Sequence, residues 1–161
     1  MTPKTVYAFA LQDIPDTLSV FSSLYRFPYT QMLNNMVSPD GQRTYSAIVF
    51  QPIEIIESWG NKVTVTNRDQ QLTLRKDIDS LLAERLEVWG HGKILNDPLL
   101  PPFQGGAIGY FGFGYNQPPS SAGQDVPAAA FGIYDQCVSF SHTENLAWYV
   151  VVADTPDQAQ Q

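Results

Sequence analysis

The chain has 161 residues, enough for one domain with a substantial core. Its 16 acidic and 9 basic residues give a formal net charge of -7, which argues against nucleic acid or an anionic membrane surface as a partner. The single cysteine, Cys137, excludes an internal disulfide and a cysteine-built zinc site and fits a reducing, cytoplasmic setting; no secretion signal is visible, and the apolar run Val6 to Leu11 is far too short to span a bilayer.

Thr5 to Leu11, with its alternating β-branched and aromatic residues, reads as a strand. Asp13-Ile14-Pro15-Asp16 then has the chemistry of a helix start, and Ile14, Leu18, Phe21 and Tyr25 recur at helical spacing until Pro28 ends the segment. Tyr29 to Met36 returns as a second strand before the Ser38-Pro39-Asp40-Gly41 turn. Thr44 to Phe50 and Ile53 to Trp59 read as strands, Gly60-Asn61 as a tight turn and Val63 to Thr66 as the return strand, which together describe an antiparallel meander. Asp77 is placed to cap a helix whose Ile78, Leu81, Leu82, Leu86 and Trp89 form one stripe over a sheet, with Gly90 as the stop. A Pro-rich connection from Leu95 to Gln104 follows, and Asn116 to Val126 has the composition of a surface loop. Ala129 to Tyr134, Val138 to His142 and Leu146 to Ala153 supply further strands. One domain thus covers residues 1–153, and the polar residues 154–161 read as a linker or frayed end.

Gly105, Gly106, Gly109, Gly112 and Gly114 punctuate a strand-like stretch. If residues 106–114 are extended, Ala107, Gly109, Phe111 and Phe113 share one face and Ile108, Tyr110, Gly112 and Gly114 the other, and both faces read as internal. Glycine inside a strand weakens it, so several together imply that another backbone, a helix or a ligand comes close. These glycines do not satisfy a dinucleotide fingerprint, and Gly90-His91-Gly92-Lys93 lacks the glycine and hydroxyl residue of a phosphate loop, with Glu87 and Ile94 in their places. His91 and His142 have no acidic neighbour at ligand spacing and read as surface residues, and Cys137 in its apolar run reads as a buried, inert thiol. Asp135 reads as a structural hydrogen-bond acceptor or a functional carboxylate, Tyr45 and Trp59 as core aromatics or walls of a pocket.

The stretch Pro102 to Phe113, PFQGGAIGYFGF, resembles the "FQGGAxGYFGYD" segment of chorismate-utilising synthases: anthranilate synthase component I and aminodeoxychorismate (para-aminobenzoate) synthase component I. Phe131-Gly132-Ile133-Tyr134-Asp135 resembles the "GIYD" strand of the para-aminobenzoate enzyme, His142 stands where that family has a "DH" turn, and Thr44 to Pro52 is similar to "RYSIIGxDP". The resemblance implies an α+β fold, an antiparallel β-sheet meander covered by two or three helices, forming the N-terminal half of the synthase. It covers nearly the whole chain but only the non-catalytic part of the family's enzyme. The chorismate site, its magnesium-binding acidic residues and the nucleophilic lysine of many para-aminobenzoate enzymes belong to a C-terminal domain with no counterpart here. No catalytic or metal-binding residue and no cofactor is therefore assigned to this segment, although magnesium is implied for the intact enzyme.

By the same resemblance the partners are a glutamine amidotransferase subunit and the C-terminal catalytic domain, and an isolated segment is expected to expose an apolar face and pair as a homodimer. The family's N-terminal region holds tryptophan, as feedback inhibitor or structural ligand, through an "LLxS" motif and the "RYS" strand. These correspond here to Asn35 in place of the serine, Thr44 in place of the arginine, with Arg43 one position earlier, and the matching Tyr45 and Ser46. Two departures at one pocket imply weak or absent tryptophan binding, and Gly114 stands where the family has aspartate. The implied function is that of the N-terminal domain of an enzyme that aminates chorismate for folate synthesis. The anthranilate branch and a free-standing amino-acid-binding regulatory domain are the alternatives.

Overall fold

The computed structural model describes residues 4–14, 16–38, 40–90, 100–113, 115 and 125–159. His91, Gly114, residues 116–124 of the expected surface loop and the first half of the Leu95–Gln104 connection lie outside them. Among the described residues, ten strands and three helices follow one another as β1 (Thr5–Ala10), α1 (Thr17–Leu24), β2 (Gln31–Val37), β3 (Thr44–Val49), β4 (Glu54–Trp59), β5 (Lys62–Thr66), β6 (Gln71–Leu74), α2 (Ile78–Val88), β7 (Gly106–Phe111), β8 (Ala129–Tyr134), β9 (Gln136–Ser141), β10 (Leu146–Ala153) and α3 (Pro156–Ala159).

The strands form two five-stranded antiparallel sheets, ordered β1-β10-β9-β3-β2 and β6-β5-β4-β8-β7. The expected meander is thus divided: β4, β5 and β6 run as hairpins, but β3 and β4 belong to different sheets. The chain crosses between sheets twice, from β3 to β4 and, within one residue at Asp135, from β8 to β9. The crossings are tied by backbone bonds, Ile53 N–H to Ile133 O at 2.8 Å and Val152 N–H to Asp135 O at 2.7 Å.

Alternation along the strands sorts the core into three layers. Ile48, Val138, Phe140 and Ala147 pack under α1; Val49, Cys137, Trp148 and Val150 of the first sheet meet Ile108 and Tyr134 of the second; Ile56, Val63, Val65 and Ile133 pack under α2. The α2 stripe is as expected, with Ile78, Leu81 and Leu82 buried, Trp89 packed against them, the Asp77 carboxylate accepting from Ser80 N–H, and Gly90 at φ +73 just past the end. In α1, Asp16 is the N-cap, but the expected stripe is rotated: Leu18 and Tyr25 are exposed, and Val20, Phe21 and Leu24 face the sheet. Ile14 and Tyr25 lie outside the eight-residue helix, so the expected spacing does not set which face of it meets the sheet. Strand β6 carried no sequence signal, because it is a short outer strand whose residues are mostly exposed. The segment after Asp154 holds a single helical turn whose Ala159 is buried.

The glycine-rich strand is correct in position but not in burial. Ile108 is buried, whereas Gly109, Tyr110 and Phe111 are exposed, because β7 is an outer strand with one neighbour. The close approach does exist: a Cβ on Gly109 would lie 2.0 Å from the backbone oxygen of Ala130 in β8, and one on Gly112 would lie 2.9 Å from that of Ala128. In β8, a Cβ on Gly132 would lie 2.5 Å from the Tyr134 hydroxyl, so Gly132 makes room for the ring two residues on. That ring is fully buried between the sheets. Its hydroxyl donates to Tyr29 O at 2.6 Å and accepts from Gln31 Nε2 at 2.8 Å, joining β8 to the start of β2. Tyr29, at φ 56, in turn donates its own hydroxyl to Glu57 Oε1 at 2.6 Å.

Gly109→Ala is expected to destabilise the chain by about 2 kcal/mol or more despite the exposure of the site, since backbone cannot yield as a side chain can; Gly132→Ala is expected to cost a similar amount by displacing a buried ring. Urea unfolding of the two variants measures this, and a shift below about 0.5 kcal/mol for either would contradict the packing described. Burial pushes the Tyr134 hydroxyl up to about 12 from its ordinary value of 10.0. A folded-state value above the unfolded one means that its contribution is complete below pH 10 and is lost as pH rises toward 12. Unfolding followed against pH should show this alkaline loss, and Tyr134→Phe should flatten it while lowering neutral stability by about 1–3 kcal/mol through the unpaired Tyr29 carbonyl.

Candidate functional site

The strand pair β2–β3 carries the residues singled out by their sequence. Leu33 pairs with Ala47 but Met36 pairs with Tyr45, so β2 has one residue more than its partner. The extra residue is Asn35, at φ 55, a left-handed conformation that asparagine tolerates better than other side chains. The bulge leaves Asn35 exposed and keeps Asn34 on the α1 face opposite Ser46.

Ser46 is fully buried. Its hydroxyl donates to Asn34 Oδ1 at 2.7 Å, and its oxygen lies 2.7 Å from Nε2 of His142. Because Asn34 Oδ1 can only accept, the one hydroxyl proton of Ser46 is committed there, and Ser46 Oγ must accept from His142 Nε2–H. The imidazole is thereby held in one tautomer by the Ser46–Asn34 pair. The backbone brings His142 there: its N–H donates to Thr44 O at 2.9 Å, and Thr44 N–H donates to Thr143 Oγ1 at 3.0 Å.

The adjacent Tyr45 points to the opposite, inter-sheet face and is almost wholly buried. Its hydroxyl is the first cause, and the Glu144 carboxylate the second, that hold the Arg43 guanidinium more firmly protonated than usual; Arg43 Nε lies 3.2 Å from Glu144 Oε1. Ser141, across from Tyr45 on β9, donates to Glu144 Oε2 at 3.0 Å. Of the four residues expected to line a tryptophan-like pocket, Thr44 and Ser46 come together on one face, Tyr45 lies on the other, and Asn35 stands outside. Of the two asparagines it is Asn34, and not Asn35, that bonds to Ser46. Sequence reasoning missed Asn34 and the engagement of His142. An Asn-Asn pair inside a strand was the available signal, because it marks a bulge that shifts which residue faces the sheet.

His142 is exposed as expected, yet bonded. Cys137 is buried, with its thiol pushed up to about 11 by desolvation, and is inert at neutral pH. Asp135 is half-buried at the sheet crossing, its carboxyl raised by desolvation, and its backbone oxygen accepts from Val152. Among the described residues no three His, Cys, Asp or Glu side chains group closely enough to hold a metal ion. Nor is any described helix long and apolar enough to cross a membrane.

No protein-family profile matches the chain. It is 28% identical over 128 residues to aminodeoxychorismate synthase component 1 of Escherichia coli, covering 76% of this chain and 28% of that protein. It is 25% identical over 156 residues to anthranilate synthase component 1 of Acetivibrio thermocellus, covering 92% of this chain and 31% of that one. Among solved structures, anthranilate synthase component I from Streptococcus pneumoniae aligns with a TM-score of 0.49 at 18% identity, over 95% of this chain and 32% of that chain. The chain is thus similar to component I of chorismate-utilising synthases and spans less than a third of the curated relatives it matches.

Proposed function

We propose that this chain is the non-catalytic N-terminal domain of an aminodeoxychorismate synthase component I, whose intact form aminates chorismate with ammonia from a glutamine amidotransferase partner. The observation that carries this reading is the similarity over 128 residues to the Escherichia coli enzyme. The roles of the motif residues support it. Gly109 admits the β8 backbone, and Gly132 and Tyr134 lock the sheets together, so the motifs shared with the synthases build a scaffold rather than a reaction centre. Chemistry of this kind needs preorganised acid, base and metal groups, and the missing sequence of the relatives is where they would lie.

Pure chain incubated with chorismate, ammonia and magnesium should give no amination above the uncatalysed rate, and turnover would overturn the proposal. The coding sequence beyond Gln161 should continue into a chorismate-binding region; a stop codon there would favour the free-standing regulatory domain instead.

Tryptophan is expected to bind weakly or not at all. Tyr45 and Ser46 serve opposite faces, Ser46 has its hydroxyl spent on Asn34 and His142, and Arg43 is engaged by Tyr45 and Glu144. A zwitterion in a closed pocket needs both charged ends hydrogen-bonded, since an unpaired buried charge costs several kcal/mol. Calorimetric titration tests this: a dissociation constant at or below ~1 μM, about -8 kcal/mol, would show an intact pocket, and Tyr45→Ala should then abolish binding.

A further inference from the structure

A cleft of about 390 Å³ lies between the first turn of α1 and the turn joining β9 to β10. Asp16, Thr17, His142 and Asn145 supply its polar lining, and Ile14 and Leu146, 38% and 39% exposed, supply apolar walls still in contact with water. We propose that this cleft binds a primary ammonium carrying an apolar group, and that it discriminates against the corresponding amino acid.

The donor and acceptor arrangement selects the cation. Asp16 uses one carboxylate oxygen, Oδ2, to accept from the Ser19 amide and hydroxyl at 2.9 and 3.0 Å, while no hydrogen bond from the described residues ends on Oδ1. The Ser46–Asn34 pair takes up the Nε2–H of His142, which leaves Nδ1 as the ring nitrogen open to a ligand on a side chain that lines the cleft. Carboxylate oxygen, imidazole lone pair and the Asn145 amide oxygen are all acceptors, the set that an ammonium with three N–H donors requires. The walls formed by Ile14 and Leu146 would cover a hydrocarbon group.

A carboxylate finds no such complement. Among the described residues no lysine or arginine lines the cleft. The start of α1 is already neutralised by the Asp16 carboxylate, and Glu144, bonded to Ser141 at the cleft wall, holds the nearby Arg43 in an ion pair. An amino acid would therefore bring an unmatched anion against like charge, whereas its decarboxylated amine would not. This inference is independent of the chorismate reading, which rests on the similarity to the Escherichia coli enzyme and the motifs of β7 and β8.

Tryptamine and tryptophan are the diagnostic pair. In an NMR titration of the full chain, tryptamine should shift the amide resonances of Thr17, Asn145 and Leu146 in a saturable way, with tryptophan at least roughly tenfold weaker at the same resonances, the equivalent of one charge-assisted contact. Asp16→Asn keeps a residue that caps helices equally well and removes only the charge, so thermal unfolding should be unchanged while tryptamine affinity falls roughly tenfold. His142→Ala, at an exposed position, should weaken it as well. Equal affinity for the two compounds, an unchanged affinity in Asp16→Asn, or no saturable shift at millimolar tryptamine would each overturn the proposal, and none of these results would bear on chorismate amination.

Discussion

The two sheets depend on one phenol. Tyr134 stands at the end of β8, where the chain is about to leave the second sheet for the first, and its hydroxyl closes the gap by bonding to the backbone of Tyr29 and the side chain of Gln31 at the start of β2. A buried hydroxyl without partners would cost more than its burial gains, so this pairing makes an aromatic residue at the sheet junction favourable and sets β2 relative to β8. Everything beneath depends on that setting: the apolar contacts of Val49, Cys137 and Trp148 with Ile108 assume it, and Gly132 exists as glycine to admit the ring. The same contact explains why the chain can cross between sheets in one residue at Asp135 without leaving a gap.

Much of this architecture was legible in the chain because its signals are local. Asp77 and Gly90 mark the ends of α2 through capping chemistry, and the Ile78–Leu81–Leu82 spacing gives its buried face. The hairpin at Gly60-Asn61 follows from turn chemistry alone. Division into two sheets was not legible, since Thr44–Val49 and Glu54–Trp59 look the same whether they pair with each other or with distant strands. The α1 face was misread because Ile14 and Tyr25 belong to its flanks, where spacing no longer decides orientation. Strand β6 had neither alternation nor burial to reveal it.

The candidate site was legible by position more than by geometry. The sequence pointed to residues 35 and 44–46, and the structure does place polar groups there, but strand alternation separates Tyr45 from Ser46 and a bulge exchanges Asn35 for Asn34. A one-residue insertion in a strand reassigns its side chains, and only a residue able to adopt positive φ hints at it beforehand. His142 could not be found from spacing, because 96 residues separate it from Ser46 and antiparallel pairing of β3 with β9 alone brings them together.

The glycine strand has a consequence for how the surface can change. Sheets commonly guard an outer strand by placing lysine or glutamate along it, which makes pairing with a foreign strand unfavourable. At positions 109 and 112 that remedy is closed, since even a methyl group would collide with backbone, 2.0 Å from Ala130 O in β8 and 2.9 Å from Ala128 O just before it. Between and beside them stand Tyr110, Phe111 and a fully exposed Phe113. The strand thus trades a guarded rim for tight packing against its one neighbour, and substitutions that improve solubility must fall on the aromatic positions or on whatever lies over them, never on the glycines.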